Sequence, residues 1–327
     1  MPQPGQYPDA FLYLQCFFYH FILLCEYNSN VKIIMVGVDM KALDSVKTFA
    51  VIGGDKRQLF LADSLSRDGY GVILGGFDNI VSVGAITLSD ISTAISYGDA
   101  VILPIPGVRS DGSLNTPFAG DKHFLSAHEA GMLCKKPVFT GMADKLLKTY
   151  PVLQDGLVYD YAKRNDFAIL NAVPTAEGAV ERAMKEYEGT ISGSRTMVTG
   201  FGRIGKLLSK LLKAFGSEVT VCARSSADRA YITALGYKYK NTEKLRGIKN
   251  TDIVFNTVPS LIFTEDVLKN TDRNTLIIDL ASLPGGVDFE AADALGIDAC
   301  RALSLPGKCS PKAAGDIIKK TVYTILS

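Results

Sequence analysis

The feature that most constrains this chain is a strand that runs straight into a spaced set of glycines. Thr196-Met-Val-Thr199 leads into Gly200-x-Gly202-x-x-Gly205, and residues 206–215 carry apolar side chains at helical spacing. Gly200 permits the tight turn, Gly202 lets the backbone approach a pyrophosphate, and Gly205 lets the helix pack on the strand. Arg203 and Ile204 then open a helix whose N-terminal N–H groups favour an anion. A dinucleotide is the expected ligand. The alternative is a glycine turn that only joins a strand to a helix.

The next strand, residues 218–223, should end beside the adenosine ribose, where an NAD site places Asp or Glu about 20 residues on from the loop. Here it ends in Arg224-Ser225-Ser226. A guanidinium with two hydroxyls suits a 2′-phosphate and offers no carboxylate to a 2′-hydroxyl, so NADP(H) is expected over NAD(H). A solvent-facing Arg at a strand end is the other reading.

A length of 327 residues favours two domains, and a hydrophobic fraction of 47% supports a buried core. Lys and Arg number 35 against 34 Asp and Glu, which leaves no net field to attract nucleic acid. Six cysteines lie scattered at 16, 25, 134, 222, 300 and 309 with no C-x-x-C pair, and histidine occurs only at 20, 123 and 128. A metal site is not expected, and reduced cytosol fits.

Residues 1–47 do not resemble the remainder of the chain. Residues 11–25 are apolar and aromatic, yet shorter than the roughly 20 needed to span a bilayer. No Lys or Arg precedes Lys32, so a basic signal flank is missing. Three readings stand: an over-extended translation start, with Met35 or Met40 as the true one, an accessory segment, or a membrane or export segment.

From Thr48 onward strands and helices alternate. The pattern predicts strands at 49–52, 71–74, 100–103 and 137–140, with helices at 56–65, 90–97, 122–133 and 143–149. This is a first α/β domain, 48–172, whose Gly53-Gly54 turn lacks a third glycine and is expected to be structural. An NADP-binding domain spans 173–310, and a C-terminal helix 311–327. The fold class expected is α/β: two Rossmann-like, doubly wound parallel-sheet domains with a cleft between them.

Ligands of such sheets bind beyond the carboxyl ends of the strands, which nominates further residues. The loop at 104–118 follows a strand and carries one cation, Arg109; an exposed surface Arg is the alternative. His123 and His128 lie five apart on the expected helix, do not share a face, and are not read as bases. Thr175 and Glu177 open an expected helix, where they either cap it or face the cleft. Strand ends at Asn256-Thr257-Val258 and at Asp279 should line the nicotinamide side, and Lys308 comes after a Leu-Pro-Gly turn aimed at the cleft.

From about residue 48 to its end the chain resembles the family of dipicolinate synthase A subunits of spore-forming bacteria. The likeness rests on Ala50-Val-Ile-Gly-Gly-Asp-Lys-Arg-Gln58, Asn171-Ala-Val-Pro-Thr-Ala-Glu-Gly178, Gly200-Phe-Gly-Arg-Ile-Gly205, Ala223-Arg-Ser-Ser226, Asn256-Thr-Val-Pro-Ser260, Asp279-Leu-Ala-Ser-Leu-Pro-Gly-Gly286, Leu305-Pro-Gly307 and Pro311-Lys-Ala-Ala-Gly315. Only the glycine loop is generic. The resemblance implies oxidation of a dihydrodipicolinate-type intermediate, from a branch of the lysine pathway, to pyridine-2,6-dicarboxylate with NADP as hydride acceptor. It implies a second, flavoprotein-like B subunit and the mother-cell cytoplasm of a sporulating bacterium. An oligomer without nucleic acid or membrane is expected. On this reading Arg109 and Lys308 receive the substrate carboxylates, with Thr175 at a helix start, and Glu177 is the candidate proton acceptor.

Two rivals share the same layout. A 2-hydroxyacid or alanine dehydrogenase is one, although hydroxyacid enzymes need a His in or beyond the nucleotide domain and none occurs after His128. A non-catalytic NADP-binding subunit or regulator is the other.

Overall fold

Two six-stranded sheets, parallel throughout and identical in strand order, carry the fold. The computed structural model describes residues 45–80 and 86–327; the readings of residues 1–44 lie outside these. The first sheet runs β3(Thr87–Ser89), β2(Gly71–Gly75), β1(Thr48–Ile52), β4(Ala100–Ile102), β5(Val138–Thr140), β6(Val158–Asp160). The second runs β9(Lys238–Asn241), β8(Glu218–Ala223), β7(Arg195–Thr199), β10(Ile253–Asn256), β11(Leu276–Asp279), β12(Ala299–Arg301). Each is the 3-2-1-4-5-6 order of a dinucleotide fold, and its direction reverses between β1 and β4 or between β7 and β10.

Period-two alternation explains why these apolar runs are strands covered on both faces. Phe49 and Val51 face one cluster with Leu61 and Leu65, whereas Ala50 and Ile52 face another with Ile91 and Ile95. In the second sheet Val198, Val221, Phe255 and Ile278 share one cluster, and Met197, Cys222, Val254 and Ile277 the other.

The first helix, α1(Lys56–Arg67), starts in a capping box: Asp55 Oδ1 accepts from Arg57 N at 3.0 Å and Gln58 Oε1 from Asp55 N at 3.1 Å. Helices α2(Ile91–Tyr97), α3(Ala127–Leu133) and α4(Ala143–Thr149) come next. Helix α3 is shorter than the expected 122–133, because Ser126 and Glu129 form a second capping box that sets its start. His123 therefore precedes the helix, where its Nε2 lies 2.9 Å from Glu129 Oε1.

Helix α5(Asn165–Glu186) connects the sheets without a break. This corrects the expected helix start at Thr175. Pro174 lies inside the helix and costs it one N–H, while Thr175 Oγ1 donates to Asn171 O at 2.7 Å as a mid-helix hydroxyl does. The expected boundary at 172/173 thus falls within a helix. In the second half come α6(Arg203–Ala214), α7(Ser226–Ala234), α8(Glu265–Lys269), α9(Phe289–Ala294) and α10(Leu305–Cys309).

The last helix, α11(Pro311–Leu326), returns to the first sheet, where Ile317, Ile318, Val322 and Leu326 complete its core. Its approach to α1 depends on Gly315, since a Cβ there would lie 2.5 Å from Arg57 O. Ser64 Oγ donates to Asp316 Oδ1 at 2.7 Å, and Lys319 Nζ lies 2.6 Å from Asp68 Oδ2.

Candidate nucleotide site and interdomain cleft

At the reversal between β7 and β10 the backbone turns at Gly200, with φ of +96°. That left-handed conformation costs least in glycine. A Cβ at Gly205 would collide with the Gly200 carbonyl, so α6 packs against the turn only because that atom is missing. Gly202 differs: among the described residues its missing Cβ would meet nothing within 4 Å, which leaves an open approach to the backbone. Gly202 is the N-cap of α6 and makes no side-chain cap. Among the described residues the first-turn N–H groups of Arg203 and Ile204 consequently have no side-chain acceptor, an arrangement suited to an anion.

The equivalent point of the first sheet is filled by its own chain. Gly54 N donates to Asn115 O at 2.8 Å, and a Cβ on Gly53 would sit 2.7 Å from that same oxygen. The loop at 104–118 therefore occupies the place a ligand would take. Its tip is pinned by a bridge between Val108 and Leu114 and by Arg109 N donating to Ser113 O at 2.8 Å.

Beside the glycine loop of the second sheet lies a cavity of about 610 Å³. Its wall includes Gly200, Gly202, Arg224, Ser225, Val258 and, from the loop after β9, Arg246. Arg224 is exposed at the end of β8. Ser225 Oγ accepts from Asp228 N at 3.0 Å and caps α7, which keeps its hydroxyl proton free to donate. Arg246 was not anticipated: it comes after a strand, Lys-Tyr-Lys-Asn, that lacks an apolar run.

Asn256 and Asp279 take a different place from the one expected. Both are fully buried. Asp279 Oδ1 accepts from Asn256 Nδ2 at 2.8 Å and Ala281 N at 3.1 Å, and Oδ2 accepts from Gly286 N at 2.9 Å. Asn256 Oδ1 accepts from Thr199 Oγ1 at 2.7 Å, and its Nδ2 also donates to Val258 O at 3.0 Å. These side chains are consumed in tying three strand ends together, and neither lines the cavity beside the glycine loop or the cleft. Thr257 Oγ1 donates to Thr199 O at 2.8 Å and supports Gly200 from behind.

A second cavity, of about 530 Å³, opens between α5 and the glycine loop. Phe167, Asn171 and Thr175 line it from α5, Gly202 and Arg203 from the loop, and Ser282 from the end of β11. Among the described residues Arg203 is the one cation in this wall, and its Nε and Nη2 donate to Asn165 Oδ1 at 3.0 and 2.7 Å. No described Asp, Glu, His, Lys, Cys or Tyr belongs to the wall.

Arg109, Glu177 and Lys308 line neither cavity. Arg109 is half-buried in the pinned loop, and Lys308 is exposed on α10, whose Gly307 abuts Asp55 and Arg57. Glu177 is exposed and borders a separate groove between α5 and α6 with Val173, Leu207 and Lys210. Helical spacing explains this: Glu177 lies two residues beyond Thr175, which turns it to another side of α5.

Among the described residues no cluster could hold a metal ion, and no helix is long and apolar enough to cross a membrane. Burial pushes the Cys222 thiol up to about 12, so it stays protonated and inert.

Residues 48–161 match the family described as the N-terminal domain of the dipicolinate synthase A subunit, and residues 168–281 match that described as D-isomer specific 2-hydroxyacid dehydrogenase, NAD binding domain. The dipicolinate synthase A subunit of Bacillus subtilis (strain 168) is 35% identical over 285 residues, 85% of this chain and 95% of that protein. The crystal structure of the dipicolinate synthase A subunit from Bacillus halodurans is 33% identical with a TM-score of 0.75, covering 86% of this chain and 98% of that one. A transhydrogenase structure from Sinorhizobium meliloti, 14% identical with a TM-score of 0.62, covers 85% of this chain and 93% of its own and shares the fold alone. The second sheet is accordingly a dehydrogenase-type domain for a nicotinamide dinucleotide.

Proposed function

The chain belongs to the family of dipicolinate synthase A subunits, and from that premise we propose that it oxidises a dihydrodipicolinate-type intermediate to pyridine-2,6-dicarboxylate with NADP as hydride acceptor. The observation that carries the reading is the pairing of a free helix N-terminus at Gly202 with Arg224-Ser225-Ser226 at the neighbouring strand end. The first receives a diphosphate and the second a 2′-phosphate.

NADP, when bound, supplies the hydride acceptor. The residues fit it: Gly202, Arg203 and Ile204 would hold the diphosphate, Arg224 and Ser225 the adenosine end, and Thr257 and Val258 the turn between. The reaction balances as dihydrodipicolinate plus NADP⁺ giving dipicolinate, NADPH and one proton. Aromatisation drives it, so the protein chiefly orients two rings and neutralises two carboxylates.

A dianion in the cleft cavity would meet the Arg203 guanidinium, the Asn171 amide and the Ser282 hydroxyl. The Thr175 proton is already given to Asn171 O, so that hydroxyl can only accept. Arg109, Lys308 and Glu177 border neither cavity, and this reading therefore gives them no substrate contact.

A second reading is favoured by the lack of any acid or base among the described residues of the cleft wall: this chain binds NADP, and a flavoprotein-like B subunit completes the catalytic site. Both place the chain in the mother-cell cytoplasm during sporulation. The test is NADPH formation from the dihydro intermediate by the chain alone and after adding the B subunit. Turnover only in the complex supports a completed site, turnover by the chain alone assigns catalysis to it, and none in either removes the proposed reaction.

A further inference from the structure

We propose that Arg246 is a second specificity-determining cation of the dinucleotide site, and that the adenosine 2′-phosphate is held between the guanidiniums of Arg224 and Arg246. The proposal rests on the NADP reading above and extends it to a residue on another loop. Strands β8 and β9 are hydrogen-bonded neighbours, so the loops that leave their carboxyl ends stand side by side. Both arginines line the cavity beside the glycine loop, together with Ser225.

The loop that carries Arg246 is built to hold it. Leu245 is buried in the core beneath, and a Cβ on Gly247 would strike the Asn270 carbonyl, so the chain is fixed on both sides of the arginine. Arg246 Nη1 donates to Glu243 O at 3.2 Å and Leu245 O at 3.1 Å. Its Nε and Nη2 have no protein acceptor among the described residues. Nor does the Arg224 guanidinium. Two forks with unused donors on facing loops match the oxygens of a phosphomonoester.

Charge decides why one arginine would not suffice. Asp228 and Glu243 line the same cavity. With Arg224 alone the wall would carry two negative charges against one positive and repel a phosphate. Arg246 removes that excess, and the first-turn amides of Ser226 and Ala227, which the Ser225 cap leaves unused, then favour the anion.

The experiment is calorimetric titration of the full chain with 2′,5′-ADP and with 5′-AMP, which share the adenosine and differ in the 2′-phosphate. Arg246→Ala is expected to weaken 2′,5′-ADP about 10- to 100-fold and 5′-AMP less than about 3-fold, with Arg246→Lys recovering part of the loss. An unchanged thermal midpoint shows that the variants fold. Equal weakening of both nucleotides would place Arg246 on the adenine ring and overturn the proposal, as would no weakening. If the wild-type chain fails to prefer 2′,5′-ADP, the NADP reading itself fails. If Arg224→Ala abolishes the preference and Arg246→Ala does not, only Arg246 is removed.

Discussion

Replacing Asp279 should cost stability far more than it costs cofactor affinity. In Asp279→Ala the N–H groups of Ala281 and Gly286 lose their carboxylate acceptors at 3.1 and 2.9 Å, and both residues are buried. Asn256 Nδ2 loses one partner but keeps Val258 O. An unsatisfied buried donor costs about 1–3 kcal/mol, so the two backbone groups together cost about 2–6 kcal/mol. That is a large part of a typical stability of about 5–15 kcal/mol. Asp279→Asn keeps one acceptor oxygen and should lose about half as much. Urea denaturation followed by circular dichroism reads the loss, and titration of the folded variant with NADP(H) reads affinity. A stability loss under about 1 kcal/mol together with a tenfold or larger loss of affinity would refute the argument, because Asp279 would then be a cofactor ligand.

Gly202→Ala should fold normally, since its Cβ enters open space, yet bind dinucleotide at least about tenfold more weakly; Gly205→Ala should lose both stability and binding. Thermal melts with and without NADP(H) separate the two. Arg109→Ala and Lys308→Ala, outside both cavity walls, should change the Michaelis constant for the dicarboxylate less than about 3-fold, whereas Ser282→Ala and Asn171→Ala should raise it further. Burial alone would raise the Asp55 carboxyl, but the Arg57 hydrogen bonds and charge outweigh it and hold it below its ordinary value of 3.8. Its folded value is depressed, so its contribution is present above 3.8 and lost as pH falls through the lower, folded value. Arg57→Met should therefore move the acid-unfolding midpoint upward, and an unmoved midpoint would remove Asp55 from the account.

What was legible in the sequence was whatever local pattern determines. The run from Thr196 to Gly205 announced strand, turn and helix, since Gly200 and Gly205 answer steric demands of the turn and Gly202 keeps the backbone open to a ligand. Strands such as Phe49 to Ile52 were legible because burial on both faces makes them continuously apolar. The edge strands β3 and β9 were not, being short or polar and half exposed. Thr175 reads as a helix start because its hydroxyl suits a cap, yet α5 runs on through Pro174, where the packing of Ala172, Ala176 and Ala179 outweighs one lost hydrogen bond. The structural employment of Asn256 and Asp279 needed three strand ends brought together, and the place of Arg246 needed β9 beside β8. Neither leaves a trace in spacing.

Hydride transfer itself is the central claim, and isotope transfer tests it most directly. The dihydro intermediate, deuterated at its saturated ring carbons, is incubated with the chain and the proposed B subunit in the presence of NADP⁺. Mass spectrometry of the recovered cofactor should show deuterium on the nicotinamide ring, one per dipicolinate formed. Dipicolinate appearing with deuterium released to water and the cofactor left oxidised would contradict the account.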